Sequence, residues 1–171
     1  MKWDSRTEWA NAIGLDETRN ISNKLVQQPQ FAAAVVLQWE HHLFTEGDVY
    51  AVLAAYQKAQ TLDPDLKISA NFWNHLCWEG CLQNRAADVL FAGENAVRLE
   101  PDNGEYLDTR GLVRGLTGDI AGAIEDFQQV LDSGTLNESE AETQQRRDWL
   151  DALQRGENPF TPEVLERLRK G

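Results

Sequence analysis

The sequence predicts an all-α protein, and three observations indicate it. Apolar residues recur at spacings of three and four along most of the chain, as they do in amphipathic helices. The five prolines lie between these periodic segments, and not inside them, where they would interrupt a helix. No run of β-branched residues alternates with the period of two that a half-buried strand requires. We therefore expect helices joined by short turns and no sheet.

Capping and breaking residues place the ends of ten helices. Pro64 and Pro101 each follow a helix, because the residue before a proline disfavours the helical conformation. Ser69 is suited to cap the start of a helix, Gly47 is suited to end one in a left-handed turn, and two further helices run up to Gly118 and Gly134. The expected helices span about 5–13, 16–27, 31–45, 49–62, 70–82, 86–99, 105–117, 120–132 and 138–155, and a last short one begins at Thr161-Pro162.

Composition and charge exclude several classes of partner. The chain has 171 residues, with 16 Lys and Arg against 28 Asp and Glu, and its formal net charge is −12. This balance argues against binding to nucleic acid or to anionic membrane surfaces, which attract clusters of basic residues. Because 42% of the residues are hydrophobic, the chain can bury a core. We expect an acidic, folded protein.

The cysteine content and the N-terminal residues indicate a compartment. The only two cysteines, Cys77 and Cys81, are four residues apart. Residues 1–15 carry charges among their apolar residues, unlike a secretory leader, and no stretch approaches the ~18 uncharged apolar residues of a spanning helix. These features predict a cytoplasmic protein with reduced thiols.

Parts of the chain repeat. The motifs that end in Pro64 and Pro101 are similar in sequence. Trp73 aligns with Leu107 and Val89 aligns with Ala123, both at an offset of about 34 residues. This period and the pattern of Trp, small residues, aromatic residues and Pro resemble the tetratricopeptide repeat family. The segments 73–78 and 156–163 are also similar to tetratricopeptide blocks of cyanobacterial multidomain proteins.

The resemblance implies a right-handed superhelical solenoid of antiparallel helix pairs. A single domain over 1–171 is expected, with N-terminal helices at 1–30, repeats at 31–66, 67–103 and 104–136, and capping helices at 137–171. The middle repeat departs from the family pattern, because Cys77 replaces a glycine, Gly80 a tyrosine and Gly93 an aromatic residue. In the C-terminal cap, five apolar residues are expected to cover the end of the last repeat: Trp149, Leu150, Leu153, Phe160 and Leu165.

The resemblance also implies a function, because the first helix of each repeat lines a concave groove in this family. We expect a scaffold that binds a peptide or helix of another protein in an acidic groove, with Trp78 as its aromatic anchor. Trp78 lies about 140° around its helix from Trp73 and therefore cannot share the buried stripe. The predicted groove residues are Leu37, His41, Asn71, Asn74, Trp78, Glu105, Asp108 and Leu112.

The charge of the repeats predicts the chemistry of the partner. Residues 67–136 carry 11 acidic and 5 basic side chains, so a basic or neutral-apolar ligand is expected. None of the groove positions at which a chaperone-binding member of the family grips an acidic C-terminal carboxylate holds a Lys or Arg here.

Two other functions compete with this one. The domain could assemble with itself as a homo-oligomer, or regulate a larger protein with its groove filled by its own tail. Less favoured is a metal- or thiol-responsive module built on Cys77 and Cys81, because a structural zinc site needs four ligands and no second pair is present. No phosphate-binding or nucleophile motif occurs, so no catalytic residue, cofactor or metal is expected.

Overall fold

The computed structural model describes residues 49–134 and 139–170. Within these residues it contains seven helices and no strand, which confirms the all-α prediction for this part of the chain. The three helices predicted before residue 49 lie outside the described residues. The observed helices are α1 (Val49–Leu62), α2 (Ala70–Leu82), α3 (Ala86–Leu99), α4 (Gly104–Thr117), α5 (Ile120–Ser133), α6 (Glu140–Gln154) and α7 (Pro162–Lys170). None of these helices is long and apolar enough to cross a membrane.

The helix ends follow from local capping, and the cap at Ser69 was predicted. The hydroxyl of Ser69 accepts a hydrogen bond from the backbone N–H of Phe72 at the start of α2. Ser139 and Glu142 form a reciprocal capping box at the start of α6. Gly118 and Gly134 end α4 and α5 with φ of 92° and 60°, in the left-handed region that favours glycine.

The chain divides into two compact units. The described part of the first unit is residues 50–67, which include most of α1, and there Val52 and Ala59 are buried. The second unit contains α2 to α7. In it α2 packs on α3, α3 on α4, α4 on α5 and α5 on α6, while α2 also contacts α4. The last helix, α7, returns to α2.

The α2–α3 pair and the α4–α5 pair repeat one another. Helix α4 begins as far after α2 as α5 begins after α3, at an interval of about 34 residues. A Cβ added to Gly93 of α3 would lie 3.0 Å from Sγ of Cys77 in α2. At the equivalent positions of the next pair, a Cβ added to Gly111 of α4 would lie 3.0 Å from the ring of Phe127 in α5. In the α2–α3 pair the larger residue, Cys77, is therefore on the first helix, whereas in the α4–α5 pair the larger residue, Phe127, is on the second helix.

This exchange of sizes explains two departures from the family pattern. Cys77 stands where a glycine is usual, and Gly93 stands where an aromatic residue is usual, because the two positions share one contact. The third departure, Gly80, is filled from the neighbouring helix, where Val89 packs against it. Both contacts are fully enclosed, since Cys77 and Val89 expose 0% of their surface.

Candidate partner-binding surface

Helix α2 has a buried face and a more open face. Trp73, Leu76, Cys77 and Gly80 are all buried. On the other face, Asn71 is exposed and Asn74 and Trp78 are half-buried. These three residues are separated by three and four positions, so they lie along one side of the helix. Trp78 therefore stands outside the buried stripe and keeps part of its surface available to a ligand.

Asn74 has a polar atom that lacks a partner. Its Oδ1 atom is buried and accepts no hydrogen bond from any described residue. A buried acceptor without a donor is unfavourable. The neighbouring His75 is half-buried, and burial lowers its pKa. The surface at Asn74 consequently carries no positive charge from that imidazole near neutral pH.

The predicted groove residues on α4 are not all open. Glu105 is exposed, but Asp108 and Leu112 expose only 6% and 1% of their surface. Arg146 of α6 grips the Asp108 carboxylate with two hydrogen bonds, Nε to Oδ1 at 3.0 Å and Nη2 to Oδ2 at 2.7 Å. The prediction that Asp108 and Leu112 line an open groove is therefore wrong: both are buried, and Arg146 of α6 covers the Asp108 carboxylate.

Two other predicted groove residues, Leu37 and His41, lie outside the described residues. A role of any of the eight predicted positions in partner binding stays a prediction.

Arg146 is a residue that sequence reasoning missed. It is 6% exposed, and its guanidinium carbon lies 5.0 Å from the centre of the Trp149 ring. A signal was present, because Arg146 shares the spacing of three, four and seven with Trp149, Leu150 and Leu153 and so belongs to the buried stripe of α6. A basic residue on such a stripe predicts a buried acidic partner, which is Asp108 here.

The C-terminal segment is packed against α4, α5 and α6 of its own unit. The ring of Phe160 lies 5.3 Å from the ring of Trp149 and 6.1 Å from that of Phe127. Gly115 of α4 leaves room for this ring, since a Cβ there would collide with it. All five apolar residues predicted for the cap are buried.

Helix α7 completes the end of α2. The last four carbonyls of a helix have no partner inside it. In α2, the carbonyls of residues 79, 80 and 81 accept hydrogen bonds from the backbone N–H groups of the following turn, those of Gln83, Arg85 and Asn84. The fourth carbonyl, that of Leu82, accepts a hydrogen bond from the guanidinium of Arg169 in α7. The end of α2 is thus satisfied by a residue 87 positions further along the chain.

A second charged cluster joins α3, α4 and α5. Asp126, which is 1% exposed, accepts hydrogen bonds from Arg110 at 2.6 Å and from Arg114 at 3.1 Å. Arg114 also donates to Glu94 at 2.8 Å. An open depression of about 530 Å³ adjoins Glu94 and Arg110. The opposite charges of Arg110, Arg114, Asp126 and Glu94 pair with one another, and the cluster ties three helices together.

The two thiols are enclosed in the core. Cys77 and Cys81 are free and each exposes 0% of its surface. Burial raises the pKa of Cys77 well above its usual value, and the neighbouring Cys81 raises it further. The Cys77 thiol is therefore protonated and poorly reactive. Residues 49–134 and 139–170 contain no group of three or more His, Cys, Asp or Glu side chains that could hold a metal.

The open face of α2, with two amides and an indole, can bind a peptide through hydrogen bonds and an aromatic contact. It lies on the same helix that α7 contacts.

The chain matches no protein-family model, and comparisons with curated proteins and with solved structures returned no match.

Proposed function

We propose that this chain is a tetratricopeptide-like interaction module that binds a peptide or helix of another protein. The binding surface is the open face of α2, formed by Asn71, Asn74 and Trp78. The observation that carries the proposal is the half-buried indole of Trp78, one helical turn after Asn74, whose Oδ1 atom accepts no hydrogen bond from the residues that the structure describes. Interaction surfaces commonly combine an aromatic anchor with polar groups that need partners.

The repeat supports the tetratricopeptide part of the proposal. Two helix pairs of similar length begin about 34 residues apart, the period of that family. Their equivalent contacts at Cys77 with Gly93 and at Gly111 with Phe127 conserve the close approach of the two helices while exchanging the larger side chain. A stack of such pairs presents its first helices side by side, and α2 and α4 do contact each other.

The partner should be basic or neutral and apolar. The chain has a net charge of −12, which repels an acidic peptide and attracts a basic one. Arg110, Arg114 and Arg146 are paired with Asp126, Glu94 and Asp108, so these three arginines are not available to attract an acidic peptide. Affinity should therefore fall as salt screens the attraction.

Titration with two labelled peptides tests the proposal. One peptide is apolar and rich in Lys and Arg, and the other is acidic and ends in a free carboxylate. We expect the basic peptide to bind more tightly, and its affinity to fall between about 0.01 and 0.15 M salt, over which the screening length shortens about fourfold. Tighter binding of the acidic peptide would contradict the partner chemistry.

Two variants place the binding surface. Trp78→Ala should weaken the basic peptide at least tenfold, as expected for an anchor worth about 1.4 kcal/mol or more. Leu99→Ala is the matched control, because Leu99 is an exposed apolar residue on α3, outside the α2 face. Equal affinities of the Trp78→Ala variant and the wild type would show that the peptide binds elsewhere.

A further inference from the structure

Helix α7 is held by few groups, although it closes the end of α2. It has nine residues, fewer than a helix needs to be stable alone in water. Leu165 is its one buried side chain, and the others are exposed or half-buried. Phe160 anchors the preceding segment over Gly115, and Arg169 binds the Leu82 carbonyl. An aromatic ring, a leucine and an arginine, together with the half-buried Val164 and Leu168, therefore hold the segment against the other helices of its unit.

Arg169 binds the C-terminal end of α2, where no basic side chain of α2 itself is available. The last turn of α2 contains no basic residue. The C-terminal end of a helix carries partial negative charge, which a cation stabilises. Arg169 supplies that cation from the basic last turn of α7, which also contains Arg167 and Lys170. The site at Leu82 is thus selective for a donor with positive charge.

We propose that residues 156–170 occupy, within the same chain, a binding surface for an amphipathic helix of a partner protein. The surface runs from the hollow over Gly115 to the Leu82 carbonyl at the end of α2. It accepts a helix with an aromatic residue, a leucine five positions later and an arginine nine positions later, as in Phe160, Leu165 and Arg169. The partner replaces the segment at this surface. This inference rests on the proposed function. It adds the spacing of three residues that a partner helix should share, and it identifies residues 156–170 as the segment that competes with that helix.

Competition follows from the covalent link. A tethered segment acts at an effective concentration in the millimolar range, so a free helix with equal contacts binds only weakly. Arg155, Gly156, Glu157 and Asn158, which join α6 to α7, are all exposed, so release of α7 would uncover no buried side chain among them. Weakening the tethered helix should therefore strengthen the binding of a free one.

The experiment uses the full chain and a fluorescent peptide of residues 156–170. In the chain, Leu165→Asp places a charge at the one buried position of α7 and should release it. We expect the peptide to bind the Leu165→Asp chain at least tenfold more tightly than the wild-type chain. Glu163→Gln is the matched chain control, because Glu163 is an exposed residue of the same helix. No increase in affinity for Leu165→Asp would overturn the inference.

Changes in the peptide test its pattern. Arg169→Gln in the peptide should weaken binding to the Leu165→Asp chain, whereas Arg167→Gln at an exposed position should not. A peptide of unrelated sequence that keeps only the three groups at their spacing should bind within about tenfold of the natural one, the factor that one lost contact of about 1.4 kcal/mol would produce. Failure of that peptide would limit the surface to the chain's own segment and contradict a foreign partner.

Hydrogen exchange keeps the inference testable if the Leu165→Asp chain does not fold. Saturating peptide on the wild-type chain should reduce the protection of the α7 amides and leave that of the α4 amides unchanged. Retained protection of α7 would overturn the inference. The same measurements distinguish this inference from the proposed function. If the basic peptide binds in a way that depends on Trp78 but the 156–170 peptide does not bind, only this inference is contradicted. If the 156–170 peptide binds but the basic peptide does not, only the proposed α2 face is contradicted.

Discussion

At the scale of single residues, two equivalent helix contacts of the second unit each pair a larger side chain with a glycine. Cys77 with Gly93 and Gly111 with Phe127 are the same contact filled from opposite sides. The sequence shows Cys77 and Gly93 as departures from the tetratricopeptide pattern, but it does not show that each compensates for the size of the other. Compensation becomes visible only when the two helices are placed together, because the contact joins residues that are distant along the chain in each pair.

A double-mutant cycle tests this compensation. Gly93→Ala gains helix propensity but brings a methyl group within 3.0 Å of Cys77 and 3.2 Å of Val113, so we expect a net loss of about 1 kcal/mol in the free energy of unfolding. In a Cys77→Ala background the loss should be smaller by about 1 kcal/mol. Urea unfolding measures both. Cys81→Ala, which removes a buried thiol that is not among the nearest contacts of Gly93, should show little coupling.

The buried pair of Asp108 and Arg146 gives a second prediction. The Arg146 side chain is 7% exposed and that of Asp108 is 8% exposed, so removal of one leaves a buried charge without its partner. Asp108→Ala and Arg146→Ala should each lower the free energy of unfolding by about 3 kcal/mol or more, and the double variant should lose less than their sum. Calorimetry or urea unfolding measures this. The exposed pair of Arg155 and Glu157 is the control and should leave the transition unchanged.

At the scale of helices, the sequence predicted most of the described architecture. Prolines, glycines and capping residues act within one turn, so the helix bounds were predicted within two residues. Contacts between distant segments were not predictable in the same way. Arg146 reaches Asp108 across 38 residues and Arg169 reaches Leu82 across 87, and no local rule connects such positions. For this reason Asp108 was expected on an open face, and the covering arginine was not foreseen.

The aromatic anchor of the C-terminal segment can be tested at this scale. Phe160 is 4% exposed and contacts both Trp149 and Phe127, so Phe160→Ala should lower the free energy of unfolding by about 3 kcal/mol. Urea unfolding followed by circular dichroism measures the loss. Arg167→Ala, on the exposed side of α7, should have no comparable effect. Equal midpoints for Phe160→Ala and the wild type would show that the segment does not contribute to the core.

At the scale of the whole molecule, the C-terminal capping segment covers the apolar face of the α4–α5 pair around Phe127. Deletion of residues 137–171 removes Arg146, Trp149 and Phe160 together, and so uncovers Phe127 and strands the Asp108 carboxylate. We expect a lower melting temperature or aggregation of the truncated chain. Scanning calorimetry and light scattering measure these outcomes. A truncated chain that is monodisperse and melts at the wild-type temperature would contradict the capping role.

The bond between Arg169 and Leu82 also sets an order of events during synthesis. The chain is made from its N-terminus at roughly 5 to 20 residues per second, so α2 leaves the ribosome roughly 4 to 17 seconds before the arginine that completes it. During that interval the Leu82 carbonyl is without its intramolecular donor, and the hollow over Gly115, which is made later, is without Phe160 for the second part of it. A partner helix present at the ribosome would meet an uncontested surface, whereas one that arrives after release must displace the finished tail. The timing of encounter, and not affinity alone, would then decide which complex forms.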